Sequence, residues 1–370
     1  MNLGKEYEQS VLLRGIAWNG VSAPLVRFVD SCRKNDGDLQ GSTELKVGGD
    51  TRIPGLVYIE GIGTYAFGSD PDQLERNAKG AEERVDLPSV RGRADTVRGK
   101  VCVVTGGAQG FGKEIVLNLI SDGAVVFIAD LNYQGACKLA SQLNAETGET
   151  RAFPVEINVA DETSVESMVV EIVKTVGGID LFVSNAGILK AGSVEEISHE
   201  DFSFITSVNY IGYFLCAKYA SQVMAIQHKG DSRNTYFTDI IQINSKSGLL
   251  GSNKNSAYAG GKFGGIGLTQ SFALELIEDN IKVNSICPGN FFDGPLWSDP
   301  QDGLFVQYLN TGKAPGAQSI EDVKSFYEAK VPMRRGCTGG DVYKAILYCV
   351  EQGYETGQAI PVTGGQVMLN

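Results

Sequence analysis

Val101-Cys102-Val103-Val104-Thr105-Gly106-Gly107-Ala108-Gln109-Gly110-Phe111-Gly112 is the stretch on which the fold turns. A short apolar run breaks on glycines, and Phe111 to Ile120 then carries helical spacing. Glycines at such a junction allow a tight turn and bring backbone N–H groups close to a pyrophosphate at a helix N-terminus. A glycine pattern alone is a weak signal; one that follows a strand and opens a helix has the context that gives it meaning. The spacing here is T-G-x-x-x-G-x-G rather than G-x-G-x-x-G.

Outward from this stretch, apolar runs alternate with helical patterns. Strands are predicted at Val101–Val104, Ala124–Ala129, Ala152–Ile157, Leu181–Ser184, Asp239–Ile243, Ile281–Ile286 and Gln358–Val362. Continuous apolar strands separated by helices imply a parallel sheet covered on both faces. The expected architecture is α/β: a Rossmann-type, doubly wound parallel sheet of about seven strands over residues 98–370, preceded by a small N-terminal extension, residues 1–97. The boundary near 97 also marks a change of charge. Through Lys100 there are 14 basic and 15 acidic residues, and beyond it 18 against 29.

Composition excludes several classes. The chain has 370 residues, a net charge of −12 and 46 glycines, with no collagen-like period. Its only two histidines, His199 and His228, rule out a His-rich zinc site and make a Ser-His-Asp hydrolase a poor fit. His199 reads as a capped helix start and His228 as a helix end. Seven scattered cysteines form no C-x-x-C, and Cys102 and Cys349 read as core residues. No apolar leader or long apolar span is present, and the acidity disfavours nucleic acid and anionic membrane as partners. The expectation is a soluble protein of the reducing cytoplasm.

Asp130 closes the second predicted strand, 24 residues beyond Gly106. A carboxylate there accepts ribose hydroxyls and repels a 2′-phosphate, which favours NAD over NADP. Tyr258-Ala259-Gly260-Gly261-Lys262 places a phenol and an ammonium on one helical face, so the cation is expected to lower the phenol pKa. Ser245 lies thirteen residues upstream at a strand end, where a hydroxyl polarises a carbonyl.

The glycine spacing with these residues resembles the short-chain dehydrogenase/reductase family, over about Gly99 to Asn370. The resemblance implies NAD bound by Gly106, Gln109, Gly110, Phe111, Gly112 and Asp130, with Asn158-Val159 at the adenine and Asn185-Ala186-Gly187 beside the adenosine ribose. It implies a catalytic tetrad of Asn209, Ser245, Tyr258 and Lys262, Asn209 acting through a bound water, and a homotetramer. The family's P-G-x-x-x-T becomes Pro288-Gly289-Asn290-Phe291-Phe292-Asp293, so Asn290 or backbone would have to hold the nicotinamide carboxamide.

Ile240–Gly248, Lys262–Ser271, Arg335-Gly336-Cys337 and Thr363–Met368 are similar to the sorbitol-6-phosphate 2-dehydrogenases within that family. That similarity implies a polyol-phosphate or sugar-phosphate substrate touching Ser245 and Tyr258. Its dianion needs cations, for which Lys246 and Lys190 come first and Lys254, Arg334 and Arg335 follow. Other readings are an unphosphorylated polyol or lactaldehyde-type substrate, and a non-catalytic NAD-binding sensor.

The extension is less readable. Leu12–Trp18 and Ile53–Gly63 hold strand-like runs, and Asp72 to Arg98 reads as a helix followed by a linker. The second run, continued to Gly68, faintly resembles the joining segment of bifunctional rhamnulose-phosphate aldolase/dehydrogenases. A small lid or an oligomer-contact module is the neutral expectation.

Overall fold

The computed structural model describes residues 1, 3–18, 23–30, 52–59, 61–87, 95–231, 235–301, 303–310 and 312–368. Cys32 and the Arg91-Gly92-Arg93 stretch of the expected linker lie outside them. The extension holds α1 (Lys5–Ile16), β1 (Leu25–Asp30), β2 (Arg52–Ile53), β3 (Leu56–Ile59), β4 (Gly63–Gly68), α2 (Pro71–Ala78) and β5 (Val85–Asp86). The chain then alternates through β6 (Val101–Thr105), α3 (Gly110–Ser121), β7 (Val125–Asp130), α4 (Tyr133–Thr147), β8 (Ala152–Glu156), α5 (Glu162–Val176) and β9 (Leu181–Ser184). After α6 (His199–Thr206) a π-helical turn, Ser207–Ile211, leads into α7 (Gly212–Gly230). Next come β10 (Thr238–Ile243), α8 (Ser256–Leu276), β11 (Ile281–Pro288), three short helices α9 (Pro295–Ser298), α10 (Leu304–Asn310) and α11 (Ile320–Ala329), then α12 (Gly339–Glu351) and β12 (Ala359–Val362).

The main sheet has seven strands in the order β12-β11-β10-β9-β6-β7-β8, every pairing parallel. All seven strands foreseen from the apolar runs are present, and the architecture is the doubly wound one expected. Alternate residues divide the sheet between two cores. Val101, Val103, Val125 and Phe127 face α5 and α7, while Cys102, Val104, Val126 and Ile128 face α3, α4 and α12. Capping fixes helix ends as the side chains allow. Asp161 accepts from the N–H groups of Thr163 and Ser164 to start α5, and Thr338 with Asp341 forms a capping box for α12.

The extension is built into this body. Its Val11, Leu25 and Leu74 belong to the same apolar cluster as Phe127, Ile172 and Val223. Each such side chain, fully buried, contributes roughly 1.5–3 kcal/mol. The expectation of a strand at Leu12–Trp18 is corrected: this run is the end of α1. Helix wins because α1 lies directly on α7. A Cβ on Gly15 would stand 1.9 Å from the Gln227 carbonyl oxygen, so only glycine permits that approach. Fully buried Arg14 pairs with Asp180 and donates to the Pro24 carbonyl at 2.5 Å. Asp180 also accepts from Val101 N–H at 2.7 Å and from the Tyr236 hydroxyl. Gln227 completes the network by bonding both backbone groups of Ile179 and the Tyr236 oxygen.

This network sits at the N-terminal edge of β9, and Arg27 reaches Thr175 at the far end of α5. The extension thus braces the end of the sheet opposite the strand C-termini. A lid over those C-termini is not the role this placement gives it. Among the described residues no helix is long and apolar enough to cross a membrane.

Candidate active site

In open parallel sheets, ligands bind beyond the strand C-termini where the strand order reverses. Here the reversal lies between β6 and β9. β6 delivers the glycine loop, and β9 delivers Asn185-Ala186-Gly187. Thr105, at the end of β6, ties the two together: its hydroxyl oxygen accepts from the N–H groups of Asn185 and Ala186, each at 3.0 Å. The Asn185 side chain donates to the carbonyls of Thr105 at 2.9 Å and Gly106 at 3.2 Å, so it braces the loop.

The loop fits the pyrophosphate reading. Gly106 and Gly110 adopt φ of 63° and 56°. A Cβ on Gly112 would lie 2.0 Å from the Gly106 carbonyl oxygen, so the first turn of α3 folds back on the loop only with glycine there. Gln109 precedes α3 without capping it, and no acidic side chain occupies the first turn. The orphan N–H groups therefore face the cradle with no side chain of their own to accept from them. Phe111 stacks on Phe291 with ring centroids 4.5 Å apart, which seats the Pro288-Gly289-Asn290-Phe291 segment beside the loop. Gly289 N–H is tied to Val362, and the Asn290 carbonyl accepts from Cys337 N–H at 2.8 Å.

Asp130 is 8% exposed, and its carboxylate is fixed by the N–H groups of Ala108 at 2.9 Å and Asn132 at 2.8 Å. It stands beside the glycine loop at the tip of β7, where an adenosine ribose would lie. Asn158 is exposed, with its side-chain oxygen turned back to Ala160 N–H. Val159 is buried and packs against Gly212 at the head of α7.

Beyond β10 the four tetrad positions come together. Ser245 caps a 3-10 turn by accepting from Ser247 N–H at 3.1 Å, and its hydroxyl lies close enough to the Tyr258 phenol to influence its titration. Lys262 is 4% exposed; its ammonium lies 5.5 Å from the Tyr258 ring centroid and donates to the Ile243 carbonyl at 2.9 Å. Asn209 sits in the π-helical turn, a distortion frequent at functional sites. Its amide exchanges two hydrogen bonds of 2.8 Å with the backbone of Ile188. Asn209 Oδ1 and Lys262 Nζ both border Gly187, at 3.1 and 3.8 Å from where a Cβ there would be.

Burial pushes Tyr258 above its ordinary pKa of 10.0, and the Ser245 hydrogen bond pulls the other way. The expectation of a lowered phenol is corrected: burial raises it, and the Lys262 ammonium donates to the Ile243 carbonyl rather than to the phenol. Burial also pulls Lys262 down to about 8. Two partners escaped sequence reasoning. Buried Asn244 accepts from Ser245 N–H at 2.8 Å and donates to the Lys262 carbonyl at 2.9 Å, joining the strand end to α8. Cys287 lies close enough to Lys262 and Tyr258 to influence both electrostatically. A buried asparagine between an apolar strand and a serine was the available signal for Asn244.

The cation candidates separate. Lys190 is drawn into a 2.7 Å ion pair with Asp201, and Arg335 into one with Asp341. Arg334 donates to the Ala329 carbonyl. Lys246, one residue past Ser245, is half-buried, and both burial and the Lys330 ammonium depress its pKa.

A glycine loop, a fixed carboxylate at the tip of β7 and a Ser-Tyr-Lys set are the features of one large class of oxidoreductases that use NAD or NADP. The sequence profile of the short chain dehydrogenase family matches residues 100–297, and the chain belongs to that family. It is 39% identical over 273 residues to the sorbitol-6-phosphate 2-dehydrogenase of Escherichia coli, across 73% of this chain and 99% of that one. The crystal structure of sorbitol-6-phosphate 2-dehydrogenase from Erwinia amylovora superposes with a TM-score of 0.66 at 38% identity, across 72% of this chain and all of that one. Meso-2,3-butanediol dehydrogenase of Serratia marcescens is 30% identical over 255 residues, 65% of this chain and 96% of that one.

Proposed function

We propose that this oxidoreductase is an NAD-dependent dehydrogenase that interconverts a polyol phosphate and a ketose phosphate, D-sorbitol 6-phosphate and D-fructose 6-phosphate in particular. The observation that carries the chemistry is the meeting of Ser245, Tyr258 and Lys262 beyond β10, next to an uncapped glycine loop. The substrate assignment is supported by the 39% identity to a sorbitol-6-phosphate 2-dehydrogenase over that relative's whole length. Asp130, with no Arg or Lys in the three residues after it, supports NAD over NADP. A bound NAD supplies the acceptor for the carbinol hydride, and Gly106, Gly110, Gly112, Asp130 and Lys262 would hold it.

The chain's own groups handle the proton. Ser245 donates to the substrate oxygen and keeps it against the Tyr258 phenol. In the reducing direction Tyr258, held protonated by burial, gives its proton to that oxygen. In the oxidising direction the phenolate accepts the hydroxyl proton, and the nearby Lys262 ammonium stabilises the charge that forms. Asn209, fixed against Ile188 and bordering Gly187 with Lys262, is the anchor for a water through which Lys262 exchanges protons with solvent. The completeness of this set speaks against a purely sensory NAD-binding role.

We place the chain in the reducing cytoplasm as a homotetramer. The six described cysteines are unpaired, and Phe214, Phe263 and Leu274 expose apolar surface on α7 and α8. A monomer mass by light scattering would contradict the assembly. The activity is tested by supplying NADH and D-fructose 6-phosphate and identifying the product. Sorbitol 6-phosphate formed with NADH consumption is the expected result; an unreduced ketose, with NADH bound, would overturn the proposal.

A further inference from the structure

Between Asp293 and Arg334 the sequence carries no motif, yet in the structure the segment joining β11 to α12 forms a cap with its own core. Phe292, Trp297, Leu304, Phe305 and Val323 pack together, and Leu189, just past the Asn185-Ala186-Gly187 loop, packs against them. The cap is therefore fixed beside the catalytic crevice. On it stands an aromatic pair, Tyr308 of α10 and Tyr327 of α11, with centroids 5.3 Å apart. Each ring carries a lysine. Lys313 lies 4.1 Å from the Tyr308 centroid; Lys330 lies 4.8 Å from Tyr327 and 4.1 Å from Phe326. Contacts of this kind hold an ammonium in place while leaving its donors free.

The two cap lysines face cations from the catalytic side. Lys330 acts electrostatically on Lys246, the neighbour of Ser245, and Lys313 feels both Lys254 and Lys330. Four ammonium groups from four separate segments are thus brought near one another, two of them on a cap that Leu189 ties beside the catalytic crevice. Among the described residues none of the four forms an ion pair with a carboxylate; Glu196 influences Lys254 from a distance. Lys254 holds its place with a left-handed backbone, φ 56°. Gathering like charges without a counter-charge is unfavourable unless an anion completes the group. Lys246 is half-buried and adjoins the hydroxyl that holds the reacting oxygen, so the anion must belong to a molecule that also reaches Ser245.

We propose that Lys313 and Lys330 of the cap, together with Lys246, form the subsite for the phosphate dianion of the substrate and so determine specificity for phosphorylated over free polyols. This rests on the dehydrogenase reading above and adds to it where the phosphate is held. In a six-carbon chain oxidised at C2 and phosphorylated at C6, the two ends need two separate sites, and the tetrad and the lysine group supply them.

The test uses the full chain and compares kcat/KM for D-sorbitol 6-phosphate with that for free sorbitol. Lys313 and Lys330 are exposed, so Lys330→Met and the double variant Lys313→Met/Lys330→Met leave the core untouched. The expected result is a fall in this selectivity ratio of about tenfold in the single variant and more in the double, carried by KM, since each charge-assisted contact is lost separately. Inhibition by inorganic phosphate weakens in parallel, and Lys330→Arg restores most of the ratio. A wild-type enzyme that prefers the phosphorylated substrate and variants that keep the preference would overturn the subsite alone. A wild type with no such preference would overturn the polyol-phosphate reading itself.

Discussion

Replacing Lys262 by Met should make the cofactor-free protein more stable at neutral pH while removing its activity. Burial brings the ammonium from its ordinary value of 10.5 down to about 8, so the folded chain binds that proton less tightly than the unfolded chain. At ~1.36 kcal/mol per pKa unit, keeping Lys262 charged costs the fold about 3 kcal/mol. The charged side chain returns part of this through its bond to the Ile243 carbonyl, worth about 1 kcal/mol. The net expectation is a variant about 2 kcal/mol more stable below pH 8. The unfolded chain holds more protons between pH 8 and 10.5, so the wild type gains about 3 kcal/mol on the variant through that window, and the gap closes and then changes sign. Urea unfolding from pH 7 to 10.5, read by tryptophan fluorescence, measures this directly. A variant less stable than wild type at pH 7, or a gap that does not change with pH, would refute the reasoning. Stability given up at a working residue is the pattern expected of catalytic sites.

Other consequences follow from the same geometry. Arg14→Ala leaves Asp180 as an unpaired buried carboxylate and should cost about 3–5 kcal/mol, lowering the urea midpoint of the whole chain in one transition; a separate early transition for the extension would contradict its place in the common core. For ketose reduction, kcat/KM should hold steady on the acid side and fall as pH rises through about 8, where free-enzyme Lys262 loses its proton. In Lys262→Arg that limb should move to higher pH, because guanidinium does not titrate there.

Sequence and structure agree where information is local. The five inner strands were legible because each is buried on both faces and reads as an apolar run, the partly exposed edge strands β8 and β12 because their apolar residues still cluster, and the glycine loop because its residues are adjacent. Ser245, Tyr258 and Lys262 lie within eighteen residues, so their convergence follows from one strand end and one helix face. Leu12–Trp18 misled because a helix pressed between neighbours is apolar on more than one side and loses its helical stripe. The Arg14–Asp180 pair joins residues 166 apart, and Lys330 comes near Lys246 only through the folded cap. The lowering of Tyr258 was assigned from the neighbouring charge alone, without the desolvation that only the packed helix reveals.

The most direct test of the account is the initial rate of NAD reduction with D-sorbitol 6-phosphate, set beside free sorbitol and propane-1,2-diol, in wild type and Tyr258→Phe. The account predicts rapid turnover of the phosphorylated polyol, much slower turnover of the other two, and none in Tyr258→Phe despite retained NAD binding. Turnover confined to an unphosphorylated alcohol, or undiminished in Tyr258→Phe, would contradict it.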